Sequence, residues 1–221
     1  MARVGTVGER VLDRPSNTRA SIEVLREPDR WAAMGASRLG ANGEIGALRA
    51  FLDDRPAIHD AIDRFPQVLC HNDAMRSNLF ATRAADGTER TAAIDWALAG
   101  IGPVGGELGL LVAGSVLFLK LPAADLRSFE AFAVDRYLRG IADAGASVDE
   151  AAVRFAYAAC TVLRMTAIFG AWVQNALAPD DADWTADFWG RPVEELLAAW
   201  GPLLGHLDRQ AAYALASPLR R

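Results

Sequence analysis

Within eight positions of one loop the chain places His71, Asp73, Arg76 and Asn78, in the stretch LCHNDAMRSNLF. The run QVLC just before it reads as a short strand, and NLFAT just after it as another. The next carboxylate at a strand end is Asp95, in AAIDWALAG. RAADGTER has turn chemistry, with Asp86–Gly87 as the punctuator, and TAAID reads as the returning strand. Such a hairpin brings the end of its second strand beside the start of its first. Asp95 and Asn78 then face each other across a small gap, with Asp73 free at its mouth. A carboxylate and an amide oxygen are hard ligands suited to Mg²⁺, which keeps its other positions for water and phosphate oxygens.

Elements large enough to hold such a loop are available. The chain has 221 residues, 52% of them hydrophobic, enough for one sizeable domain with a core or two small ones. The net charge of −5 argues against a general nucleic-acid binder, which needs a basic face. Lys120 is the only lysine, so chemistry centred on a lysine amine is nearly excluded. Cys70 and Cys160 are too few for a disulfide scaffold, and a reduced, cytoplasmic setting is the simpler expectation. No secretory signal is visible, and the strongest apolar run, LGLLVAGSVLFL, has twelve residues where a membrane span needs roughly 20. It reads as a buried core helix, and no membrane partner is expected.

Around the β-element the pattern is helical. Trp31, Met34, Leu39, Ile45, Leu48 and Leu52 recur at helical intervals after Pro28, and a short helix follows Pro56 as far as Phe65. Pro122 suits the first turn of a helix reaching about Ala144. SVDE, Ser147 to Glu150, matches a capping box ahead of a helix to about Leu177. PDDADWTADFWGRP reads as a loop rich in Asp and Trp, and a closing amphipathic helix carries Pro202 as a possible kink. Residues 1–28 show no clear period and read as irregular.

The ordered set His71-Asn72-Asp73, Asn78, Ile94-Asp95-Trp96, Gly102-Pro103 and Glu107 resembles the catalytic loop and metal-binding motif of the aminoglycoside phosphotransferase and choline kinase-like family. The resemblance covers about residues 29–221. It implies an α+β, mainly α-helical fold: the C-terminal lobe of a protein-kinase-like enzyme, with a small β-hairpin carrying the catalytic and metal loops. The N-terminal lobe is expected to be missing, with the irregular residues 1–28 as a remnant of it or a hinge. The implied activity is transfer of a phosphoryl group from ATP (or GTP) to a hydroxyl of a small molecule, assisted by Mg²⁺. Asp73 would accept or orient the hydroxyl proton, and Asn78 and Asp95 would hold the metal. His71 and Glu107, the latter where the family more often has Asp, would anchor the loop. The loop middle departs from the family, which often has Pro or a basic residue there, and reads Ala74-Met75-Arg76-Ser77; Arg76 is a possible phosphate contact.

Other readings stand beside this one. Asp180, Asp181, Asp183 and Asp187, next to Trp184 and Trp189, form either a wall for a cationic or polyhydroxylated substrate or a solvated acidic loop held down by aromatics. Trp96 is expected to pack behind the metal site. Trp172, Trp184, Trp189 and Trp200 are core or lid anchors, and His59 and His206 are surface or satisfied residues. The chain is alternatively an inactive kinase-like remnant serving as a binding module, with exposed apolar area around residues 1–28 and the LCHND strand. A third reading makes His71, Asp73 and Asp95 a metal-hydrolase site.

Overall fold

A computed structural model describes residues 45–178 and 180–220. The expected helix from Pro28 therefore enters the described residues only at its end, and the irregular segment 1–28 lies outside them. Helix α1 (Gly46–Asp53) buries Leu48, Phe51 and Leu52, and α2 (Arg55–Asp63), with a proline in its first turn, buries Ile58, Ala61 and Ile62. Each buries one face at the spacing that a 3.6-residue period requires.

Four strands follow, and they form two separate antiparallel pairs. Strand β1 (Gln67–Cys70) pairs with β4 (Gly100–Pro103), Val68 opposite Gly102 and Cys70 opposite Gly100. Strand β2 (Leu79–Arg83) pairs with β3 (Glu89–Ala93), Leu79 opposite Ala93. β4 is absent from the sequence reading because GIGP carries none of the β-branched or aromatic enrichment of a strand apart from one isoleucine. Each expected hairpin strand is displaced by one or two residues, so Asp95 lies beyond β3 rather than within it. The hairpin turn is as its residues suggest: Gly87 takes φ 85°, and an Asp86 carboxylate oxygen accepts the Thr88 N–H at 2.9 Å.

The remainder is helical: α3 (Leu108–Leu117), α4 (Leu126–Asp143), α5 (Glu150–Leu177), α6 (Ala182–Trp189) and α7 (Val193–Ala216). Three expectations are corrected here. A short 3₁₀ turn (Ala123–Asp125) intervenes after Pro122, so α4 starts later. The cap of α5 is Asp149, whose carboxylate accepts the Ala151 N–H at 2.9 Å; a capping box from Ser147 would start the helix two residues too early. The Asp- and Trp-rich stretch is helix α6 rather than a loop.

Helix α5 is the centre of the core. Phe155, Val162, Met165, Phe169 and Val173 are fully buried, and the helix packs against α3 and α7. It is long and apolar enough to cross a membrane, yet 67% of its most apolar window is buried inside the protein, as in a core helix. Contact with α3 is close. A Cβ built on Gly109 would lie 2.8 Å from the Thr161 Cα, so only glycine lets the two backbones approach this far. Trp200 of α7 is fully buried and donates to the Leu117 carbonyl at 3.0 Å, tying α7 to the end of α3. His206 is also fully buried, which removes the surface alternative for it.

Candidate functional site

The loop after β1 is fixed from three directions. The His71 N–H donates to a Glu107 carboxylate oxygen at 2.8 Å, so the residue ahead of α3 grips the loop at its start. His71 Nε2 donates to the Ile94 carbonyl at 2.8 Å, and Nδ1 accepts the Asp73 N–H at 3.2 Å. One imidazole therefore bridges the two loops that carry Asp73 and Asp95. Asn72 adopts φ 59° and donates its side-chain amide to the Leu98 carbonyl at 3.1 Å. Asn is one of the few residues that tolerates this left-handed turn.

With the loop held, Asn78 turns inward. Its amide donates to the Asp73 backbone carbonyl and to Asp73 Oδ2, both at 2.9 Å. The Ile94 N–H donates to the Asn78 carbonyl at 3.0 Å, extending the β2–β3 ladder by one step. Asp95 comes next, at φ 62°, and its carboxylate is exposed. Asn78 is buried, and among the described residues its Oδ1 meets only the Ser77 hydroxyl, at 3.5 Å. An acceptor oxygen on Asn78 and an exposed carboxylate one residue past its hydrogen-bonded neighbour are hard donors of the kind Mg²⁺ takes. No cluster of three or more His, Cys, Asp or Glu fit to hold a metal occurs among the described residues. Protein ligands to a metal here would be few, with water and phosphate completing its shell. The hydrolase reading loses its histidine, since hydrogen bonds to Ile94 and Asp73 occupy both ring nitrogens of His71.

The other singled-out residues lie as follows. Arg76 donates to the Lys120 carbonyl at 2.8 Å and lines a shallow groove with Met75, Gly114 and Phe118. Trp96 does not pack behind the site. It is 51% exposed, its indole N–H donates to Ala93, and its ring lies 4.5 Å from that of His71. Leu69 is 67% exposed, whereas Cys70 and His71 are buried. Burial, with Glu107 nearby, pushes the Cys70 thiol up to about 12, and burial does the same to Cys160, so neither is a thiolate nucleophile near neutral pH. Asp180, Asp181, Asp183 and Asp187 are all exposed around α6. Trp184 of that helix stacks on Trp172 of α5 at 6.0 Å with planes 3° apart, and Phe188 and Trp189 extend the cluster toward Trp200.

One residue beside Asp73 escaped the sequence reading. Arg164 of α5 places Nη2 3.9 Å from Asp73 Oδ1, with side chains 15% and 20% exposed. A signal is present in the sequence: Arg164 is the only charged residue between Arg154 and Asp180.

A model of the phosphotransferase enzyme family matches residues 9–156, two thirds of the chain and the whole of the segment from His71 to Glu107. No curated protein and no solved structure matches. With that much of its length matched, the chain belongs to the phosphotransferase enzyme family.

Proposed function

We propose that the protein is a small-molecule O-phosphotransferase of kinase-like architecture, using Mg²⁺ and ATP or GTP, with Asp73 as the acceptor of the substrate proton. The observation that carries this reading is the joining of Asp73, Asn78 and the Asp95 loop by direct hydrogen bonds, inside the segment that the family model matches. Phosphoryl transfer asks the protein mainly for positioning and charge stabilisation. A carboxylate held by a buried amide is suited to that task.

In this reading Asn78 Oδ1 and the Asp95 carboxylate hold the magnesium ion, which screens the negative charge of the nucleotide phosphates when bound. The Asn78 amide meanwhile keeps Asp73 Oδ2 in place, leaving Oδ1 to receive the hydroxyl proton as the acceptor oxygen bonds to phosphorus. The bond from phosphorus to the bridging oxygen breaks, and its electron pair leaves on the nucleoside diphosphate. His71 and Glu107 position the loop and carry no proton in the reaction. Arg76 donates to the Lys120 carbonyl through Nη1 alone, and its remaining donors are the phosphate contact of this reading.

Titration of the full chain with ATP and GTP, with and without Mg²⁺, tests the reading. It expects magnesium-dependent binding that weakens in Asp95→Asn. Binding that ignores both magnesium and Asp95 would remove the metal assignment, and no binding would remove the kinase assignment for this chain.

A further inference from the structure

Burying an arginine is costly unless its charge is paired and its donors are hydrogen-bonded. Arg164 meets only part of that requirement. Its nearest carboxylate, Asp73, is 3.9 Å away, beyond hydrogen-bond reach. Nε is buried without a partner, and no hydrogen bond from the guanidinium is formed among the described residues. Burial also lowers the pKa of the group, the opposite of what a well-matched ion pair would do. A planar fork of donors is thus held, unused, at the oxygen of Asp73 that faces away from Asn78.

Its position on α5 extends the point. The helix is buried over most of its surface, but Arg164, Ala167, Ile168, Ala171, Trp172 and Asn175 are among the residues left partly accessible. Their spacing of three and four places them on one stripe of the helix. The stripe runs from Asp73 at one end to the stacked Trp172–Trp184 pair at the other.

We propose that Arg164 is a specificity-determining residue that binds the acid group of the acceptor, a small hydroxy acid with an apolar body lying along this stripe. This deepens the phosphotransferase reading and rests on it for the identity of Asp73 as the group beside the reacting hydroxyl. Asp73 divides the site. Oδ2 is taken by Asn78 on the metal side, so Oδ1 and Arg164 mark the acceptor side. A carboxylate matches the guanidinium fork in shape and charge. The partly accessible Ile168 and Ala171 offer the apolar body a surface, which the Trp172 cluster bounds.

Mandelate is a probe with this chemistry, and mandelamide has nearly the same shape without the charge. Calorimetric titration of the full chain is expected to show mandelate binding roughly tenfold or more tighter than mandelamide, the size of effect that charge-assisted hydrogen bonds give. Arg164→Met should erase the preference and Arg164→Lys should keep part of it; Arg164→Gln replaces the methionine variant if that one does not fold. Equal affinity for the two probes, no binding of mandelate, or a preference that survives loss of the guanidinium would overturn the proposal. Magnesium–ATP titrated separately distinguishes the two levels. If the nucleotide fails to bind while the mandelate preference holds, phosphotransfer falls and the acid-binding site stands.

Discussion

The side-chain amide of Asn78 donates to Asp73 Oδ2 at 2.9 Å, five residues back along the same loop. The bond assigns the two ends of Asn78. Its nitrogen fixes a carboxylate, and its oxygen is left for an electrophile. A residue with one end only could do one of these tasks, so Asn78→Ala or Asn78→Leu should lower both magnesium dependence and turnover, whereas Asn78→Asp should lose the hold on Asp73 by placing two carboxylates together.

Asp73→Ala removes the proton acceptor of the proposed reaction. Turnover with any accepted hydroxyl compound should fall by at least ~10²-fold, the usual contribution of a positioned base. The fold should persist with a lowered melting temperature, because the variant takes from the 15%-exposed Arg164 its neighbouring carboxylate; circular dichroism and thermal unfolding check this. Turnover like that of the unmodified chain would sink the assignment.

His71→Ala cuts the bridge between the Ile94 carbonyl and the Asp73 N–H. Two buried hydrogen bonds of ordinary strength are worth about 1–3 kcal/mol together. Urea unfolding should show a loss of that size. Amide exchange should quicken at Asp73, whose N–H loses its acceptor, ahead of the rest of the chain.

Gly109→Ala tests the approach of α3 to α5. The added methyl would meet Thr161 backbone and side-chain atoms under 3.0 Å apart, which neither buried helix can relieve without shifting. Overpacking of this kind costs typically 1–3 kcal/mol, and the melting temperature should fall accordingly.

His206 gives the protein an acid-sensitive core. Burial, with Arg209 and Arg127 nearby, lowers its pKa from 6.5 to about 4, and the Glu130 carboxylate 3.7 Å away does not offset this. The Tyr157 hydroxyl lies 3.4 Å from Nε2 and completes its surroundings. The unfolded chain therefore takes up a proton here before the folded one does. Stability from this group is complete above pH 6.5 and declines as pH falls toward 4, by about 3 kcal/mol across the window. Unfolding free energies measured between pH 7 and pH 4 should show the decline, and His206→Leu should flatten it.

Much of this fold is legible in the residues themselves. The hairpin announced itself through Asp86–Gly87, and the core helices through their apolar spacing, because both signals are local. β4 was hidden, since GIGP takes its extended form from pairing with β1 rather than from its own residues. α6 was read as a loop because its acidic residues mask an apolar face, Trp184 and Phe188, that only Trp172 makes useful. At the site, the ordering of His71, Asp73, Asn78 and Asp95 is visible in the sequence, and so is the isolation of Arg164 in its segment, but its pairing with Asp73 is not. Arg164 lies ninety-one positions further on, and no spacing rule reaches that distance.

The proposed acceptor-side charge stands on the same helix that forms the middle of the core. A side chain on a surface loop can wander during divergence at little expense; one rooted among Val162, Met165 and Phe169 cannot. New acceptors should therefore be won by changing α6 and its aromatic rim, while the Arg164 end of the stripe stays as a fixed reference point from which each variant measures its substrate.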